Sequence, residues 1–137
     1  DSSESRGLGD VYKRQHLARA VLESVAFQTY ELLESMEKDL DTKFDTLKVD
    51  GGMVANNLLM QFQSDLLDKS IQSQEINEIT ALGVGVASYL YVMDLPLSSM
   101  GNYITSSKTW NPNMSNETRI NSLESWYKAI EKAKNWL

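Results

Sequence analysis

Cysteine is absent from the 137 residues, which excludes disulfides, thiolate metal sites and thiol nucleophiles. Histidine occurs once, as His16. Multi-histidine metal sites are therefore excluded, and a single imidazole is left as a candidate base. Basic residues are outnumbered, with 13 Lys and Arg against 19 Asp and Glu for a net charge of −6. A surface of that sign repels polyanions, so nucleic acid is not an expected partner. Long apolar runs are also missing, and none approaches the roughly 20 residues that span a bilayer. The first residues are polar, without the basic patch and apolar stretch of a signal peptide, so no membrane partner is expected. What remains is an ordinary globular balance, 42% hydrophobic and 23% charged, enough for one domain. The expectation is a soluble, acidic, cytoplasmic domain.

Charge is distributed unevenly along the chain. In residues 1–15, DSSESRGLGDVYKRQ, Asp1, Glu4 and Asp10 cancel Arg6, Lys13 and Arg14, so the whole −6 falls on 16–137. Ser, Gly and charge dominate this opening, and no helical or strand period is visible; a disordered leader is expected. Gly7 and Gly9 form a Gly-x-Gly, but no strand precedes it, which makes a phosphate loop a weak reading.

From His16 to about Lys38 the spacing predicts a long amphipathic helix. Leu17, Val21, Val25, Leu32 and Met36 form one stripe, widened by Leu22, Ala26, Tyr30 and Leu33. Thr46–Asp50 alternates briefly and stops at Gly51-Gly52, as a short strand entering a tight turn does. Helical spacing resumes over Met53–Leu67, and Ser70–Gln74 is a candidate second strand. Strand, turn, helix, strand is the order of a right-handed βαβ unit with parallel strands. Asn77 is placed to cap a helix from Glu78 to about Met93. The small residues Ala81, Gly83, Gly85, Ala87 and Ser88 in it imply close packing against another backbone. Leu95-Pro96 closes the helix, and Ser98–Ser107 reads as loop. Trp110–Met114 reads as an extended anchor. Ser115 then caps a last helix expected to bury Ile120, Leu123, Trp126, Tyr127 and Ile130.

The point richest in chemistry is Val49-Asp50-Gly51-Gly52-Met53-Val54-Ala55-Asn56-Asn57. Paired glycines permit positive φ and let a ligand approach the backbone with no Cβ in the way. The helix start that follows presents unpaired N–H groups and partial positive charge. Asn56, in the first turn, carries an amide suited to a purine edge or a ribose. A plain strand-to-helix turn explains the same glycines. Asp50 is open to two readings, a carboxylate for a metal-bound water or ribose hydroxyl, or a helix cap. His16 has no carboxylate or serine partner in sequence. No Ser/His/Asp set, carboxylate dyad or Walker loop is present, so no catalytic and no metal-ligating residue is assigned.

Four blocks resemble a known family. His16–Glu23, continuing through Thr29, is similar to the tail of the second signature of the FGGY carbohydrate kinases. Val49–Asn57, followed by Leu59-Met60-Gln61-Phe62-Gln63-Ser64-Asp65, looks like the adenosine-binding turn and helix of the glycerol kinases among them. Glu78-Ile79-Thr80-Ala81-Leu82-Gly83 looks like the Glu-x-Thr-Ala-Leu-Gly block that follows. Trp110-x-Pro112-x-Met114-Ser115, with Trp126-Tyr127-Lys128-Ala129, resembles the terminal helix region. The resemblance covers nearly all of 16–137. The residues before His16 do not continue the family's Gly-Leu-Thr-Arg-Gly pattern, so 1–15 look foreign to it.

The resemblance implies an α/β fold. This is the C-terminal part of an actin-like, ribonuclease-H-like ATPase domain, helix-rich with a short parallel βαβ unit. It implies Mg²⁺ and ATP, with phosphorylation of glycerol to glycerol 3-phosphate and a homo-oligomeric parent. It places Gly52 and Asn56 at the adenine end of the nucleotide, with Gly51 shaping the turn. The family's glycerol site, catalytic aspartate and phosphate loops lie upstream of the matched region, so the chain by itself is expected to be inactive. A stand-alone adenine-nucleotide module and a purely structural helical interaction domain are the competing readings.

Overall fold

The computed structural model describes residues 4–74, 78–103 and 106–134. In chain order they form α1 (Glu4–Leu40), β1 (Thr46–Val49), a 3-10 turn (Gly52–Ala55), α2 (Asn57–Leu67) and β2 (Ser70–Gln74). Then follow α3 (Ile79–Val92), a second 3-10 segment (Leu97–Tyr103), β3 (Ser106–Trp110) and α4 (Asn116–Ala133). The chain divides into two compact units, Lys43–Asn113 and the combination of Asp1–Thr42 with Met114–Leu137.

In the unit made of the two chain ends, α1 begins at Glu4, well before the expected start at His16. The stretch expected to be a disordered leader is therefore helical from Glu4 on, and Gly7 and Gly9 lie inside the helix, not in a phosphate loop. Once a helix is nucleated, extension by further residues is nearly neutral, and each glycine costs only about 1 kcal/mol against alanine. The covered face also differs from the widest expected stripe. Ala26, Phe27 and Leu33 are buried, whereas Leu17, Val21, Leu32 and Met36 are exposed. Phe27 stacks on Trp126 of α4, ring centroids 4.8 Å apart and planes 3° from parallel. The indole N–H of Trp126 donates to Glu31 Oε1 at 3.1 Å. Ser115 caps α4 as expected, its hydroxyl accepting the Thr118 N–H at 3.2 Å. Leu123 is buried, but Ile120 and Tyr127 stay exposed. Partial burial and the neighbouring Glu34 carboxylate push the Tyr30 hydroxyl above its ordinary value.

The unit Lys43–Asn113 is built on a three-stranded sheet of order β1-β2-β3. β1 and β2 are parallel, with Thr46 opposite Ser70 and Val49 opposite Ser73, so the expected βαβ unit is present with α2 as its crossover. β3 runs antiparallel to β2, Ile71 opposite Trp110 and Ser73 opposite Lys108. The sheet is therefore mixed. Part of the segment read as loop, together with Trp110 from the expected anchor, is a strand. The pattern of β3, SSKTW, is too polar and short to announce itself; pairing with β2 makes it extended. The core of this unit comprises Leu59, Met60, Leu66 and Leu67 of α2, Ile71 and Trp110 of the sheet, and Val86 and Leu90 of α3. Ser64, fully buried, lies 2.8 Å from the carbonyl of Lys69 and 3.1 Å from that of Trp110, its hydroxyl shared between two acceptors. Asp65 Oδ1 accepts the Asn113 N–H at 2.7 Å and the Gln61 side-chain amide at 2.9 Å. α2 is thereby tied to the chain leaving β3. The expected cap Asn77 lies outside the described residues. At Gly83 and Gly85 nothing among the described residues stands within 4 Å of where a Cβ would sit, so the close backbone packing expected there is not seen among them.

Candidate functional site

β1 delivers the chain to the turn, and the turn is where the glycines are needed. Gly51 has φ +93° and ψ 174°, a conformation open to glycine and strained for any residue with a Cβ. Its carbonyl accepts the Val54 N–H at 3.1 Å, and Met53 O accepts the Asn56 N–H at 3.0 Å, which winds 52–55 into a single 3-10 turn. Gly52 has no atom within 4 Å of a would-be Cβ, so the backbone there is open on that side.

Asn56 is not in the first turn of a helix running on from Met53. It is the N-cap of α2, at φ −85° and ψ 97°, and its Oδ1 accepts the Leu59 N–H at 3.1 Å. The 3-10 turn changes the helix phase between Ala55 and Asn57, and a cap is required where the α-helix proper begins. This use of the carboxamide is specific. The oxygen is committed to the helix, and the NH₂ is the part of the side chain left to serve as a donor. The cap role open to Asp50 is thus filled by Asn56, and Asp50 stands exposed between β1 and the turn.

Lys108 was not singled out by the sequence, yet its ammonium donates to Asn57 Oδ1, directly beside the cap. The same ammonium lies 5.0 Å from the Trp110 ring centroid. Only the antiparallel register of β3 on β2 brings residue 108 near residue 57. A lysine in a polar strand gives no sequence signal of that kind. His16 is an exposed residue well inside α1 and has no part in the turn. Among the described residues no group of three His, Asp or Glu could hold a metal ion. The arrangement offers an open Gly-Gly backbone, one amide donor and the N-terminal end of an 11-residue helix, groups that bind a ligand rather than make or break its bonds.

Comparison with known proteins agrees on one family. The sequence model of the FGGY family of carbohydrate kinases, C-terminal domain, matches residues 2–89. The glycerol kinase of Nocardia farcinica is 45% identical over 137 residues, covering 95% of this chain and 27% of the relative. That of a Thermoanaerobacter species is 43% identical over 136 residues, covering 95% and 26%. The chain thus spans about a quarter of the length of the curated relatives it matches. Among solved structures, Plasmodium falciparum glycerol kinase with ADP superposes with a TM-score of 0.81 at 31% identity, covering 90% of this chain and 25% of that one. A ligand-bound xylulose kinase from Lactobacillus acidophilus, at 19% identity and a TM-score of 0.67 over 87% and 24%, shares the fold.

Proposed function

This chain belongs to the FGGY family of carbohydrate kinases, and from that premise we propose that it forms the adenosine-binding wall of a glycerol kinase. The fold is that of the family's actin-like ATPase domain, carried here as a helix-rich chain with a small mixed sheet. On this reading Gly51 shapes the turn, the open backbone of Gly52 faces the adenosine, and the Asn56 NH₂ donates to an acceptor nitrogen of the base. The observation carrying the reading is the division of labour in Asn56, one end capping α2 and the other free to donate. The named ADP in the Plasmodium falciparum relative supports an adenine nucleotide as the ligand.

Phosphoryl transfer needs the γ-phosphate, a metal and the acceptor alcohol held together. ATP, glycerol, a homo-oligomeric parent and a cytoplasmic setting belong to the proposal as properties of a whole kinase. No helix among the described residues is long and apolar enough to cross a membrane. The residues at the turn do not fit a Mg²⁺ site on their own, since Asp50 is the lone carboxylate there. This chain's share of the reaction is binding and orientation of the nucleotide. Without further polypeptide it is expected to bind and not to phosphorylate.

Asn56→Asp tests this. Aspartate caps a helix as well as asparagine does, so the melting temperature should hold, while the NH₂ donor is replaced by an anionic acceptor. Calorimetric titration with ADP should show a loss of about 1–3 kcal/mol in binding. Unchanged ADP affinity in a stably folded Asn56→Asp would sink the assignment.

A further inference from the structure

Of all the aspartates in the chain, only Asp50 is followed by glycine, and no asparagine is. Closure of an aspartyl succinimide requires the amide nitrogen of the following residue to reach the aspartate Cγ. A Cβ on that residue hinders the approach, and Gly51 has none. The structure adds two conditions. The last ladder pair of β1 is Val49 with Ser73, so Asp50 and Gly51 lie beyond the hydrogen bonds of the sheet. Among the described residues the Gly51 N–H has no acceptor and the Asp50 carboxylate no donor, and both residues are exposed. Neither group has to give up a partner there before the two meet. Local openings at such a position require no global unfolding.

We propose that Asp50-Gly51 is a self-modification site, at which the aspartyl link converts to an isoaspartyl link and disables the turn. The Gly51 nitrogen bonds to Cγ of the protonated carboxyl group. The carboxyl OH and the amide hydrogen leave as one water, and a five-membered imide remains. Water then adds to either imide carbonyl. Opening at Cγ restores aspartate, whereas opening at the main-chain carbonyl routes the chain through Cγ as isoaspartate. One water leaves and one returns, so no further reactant is needed. The product carries an extra main-chain carbon immediately before Gly51. Gly51 stands at φ +93°, and its carbonyl starts the 3-10 turn by accepting the Val54 N–H at 3.1 Å. A longer link displaces both, and with them the open backbone of Gly52. Loss of ADP binding is the further consequence, and it rests on the kinase reading above.

The test holds the full chain at neutral pH and body temperature. Isoaspartate is followed by methyl transfer from S-adenosylmethionine, catalysed by an isoaspartyl methyltransferase, and located by fragmentation mass spectrometry. It should accumulate at position 50 about tenfold faster than at any other aspartate, glycine being the least hindered neighbour. Asp50→Glu should remove the signal, because its ring would be six-membered and closes far more slowly. Asp50→Asn should lose ammonia through the same imide, ahead of every other asparagine. Sucrose favours the folded state and should leave the rate at position 50 unchanged. The isomerised fraction, separated by ion exchange, should melt lower than the fresh chain, and repair by the methyltransferase should restore it.

No preference for position 50 in the parent chain or in Asp50→Asn, a rate that falls with sucrose, or an isomerised chain that melts like the fresh one each overturns the proposal. ADP titration of the fresh chain reports on the kinase reading alone. A fresh chain that binds no ADP, yet isomerises at position 50 and then melts lower, discards the nucleotide assignment and leaves the modification site standing.

Discussion

Gly51 and Gly52 are neighbours of identical composition, but the backbone asks different things of them. Gly51, at φ +93°, is needed for conformation; Gly52 has no positive φ and only an open side. Gly51→Ala should therefore destabilise the chain by about 1–3 kcal/mol, the cost of a Cβ in that region of φ and ψ, measurable as a lowered urea midpoint. Gly52→Ala should leave stability within about 0.5 kcal/mol and still reduce ADP affinity, because the added methyl stands where the adenosine is proposed to approach. If Gly52→Ala binds ADP as well as the parent, the turn is a structural one. The pairing of glycines was legible in the sequence. Which of them the fold needs was not, because that depends on the torsions at which β1 ends. Asn56 teaches the same lesson, since a change of helix type at Ala55 turned a first-turn residue into a cap.

Among the elements, the βαβ unit was readable because alternation, paired glycines and a helical period follow one another within thirty residues. The bounds of β2 were read as Ser70–Gln74, and the structure has the same strand. β3 was missed because its residues carry no alternation strong enough to stand out, and its partner in the sheet is distant in sequence. Ser64 shows how the elements are joined once they exist. Its hydroxyl serves the carbonyl ending α2's connection to β2 and the carbonyl ending β3. Ser64→Ala removes the donor these two carbonyls share, one of them buried, at an expected cost of about 1–3 kcal/mol. Chemical denaturation should show the loss, and an unchanged midpoint would mean that the two carbonyls find other donors. In α1 the period of the apolar residues was correct but two adjacent stripes were available. The Phe27–Trp126 stack selected the one through Ala26 and Leu33.

The whole molecule is a chain of two compact units, and in one of them a three-stranded sheet leaves β1 and β3 each with an open edge. Short sheets of this size depend on what packs against them. α3 and the Leu17–Met36 stripe of α1 keep much apolar surface in solvent. Circular dichroism of the isolated chain is accordingly expected to show a broad, weakly cooperative thermal transition. One sharp, reversible transition would contradict this and would support an independently stable module.

By itself the sequence determined the family, the acidic charge, the absence of thiol chemistry and the place of the Gly-Gly turn. Each of these is a property of residue type and local order. Only the tertiary structure decided that Asn56 spends its oxygen on a cap, that Lys108 reaches Asn57, and that the sheet is mixed. It also decided that the small residues of α3 face open space. Those outcomes depend on backbone torsions and on pairings between residues roughly thirty to fifty positions apart, where local pattern carries no information and packing alone chooses.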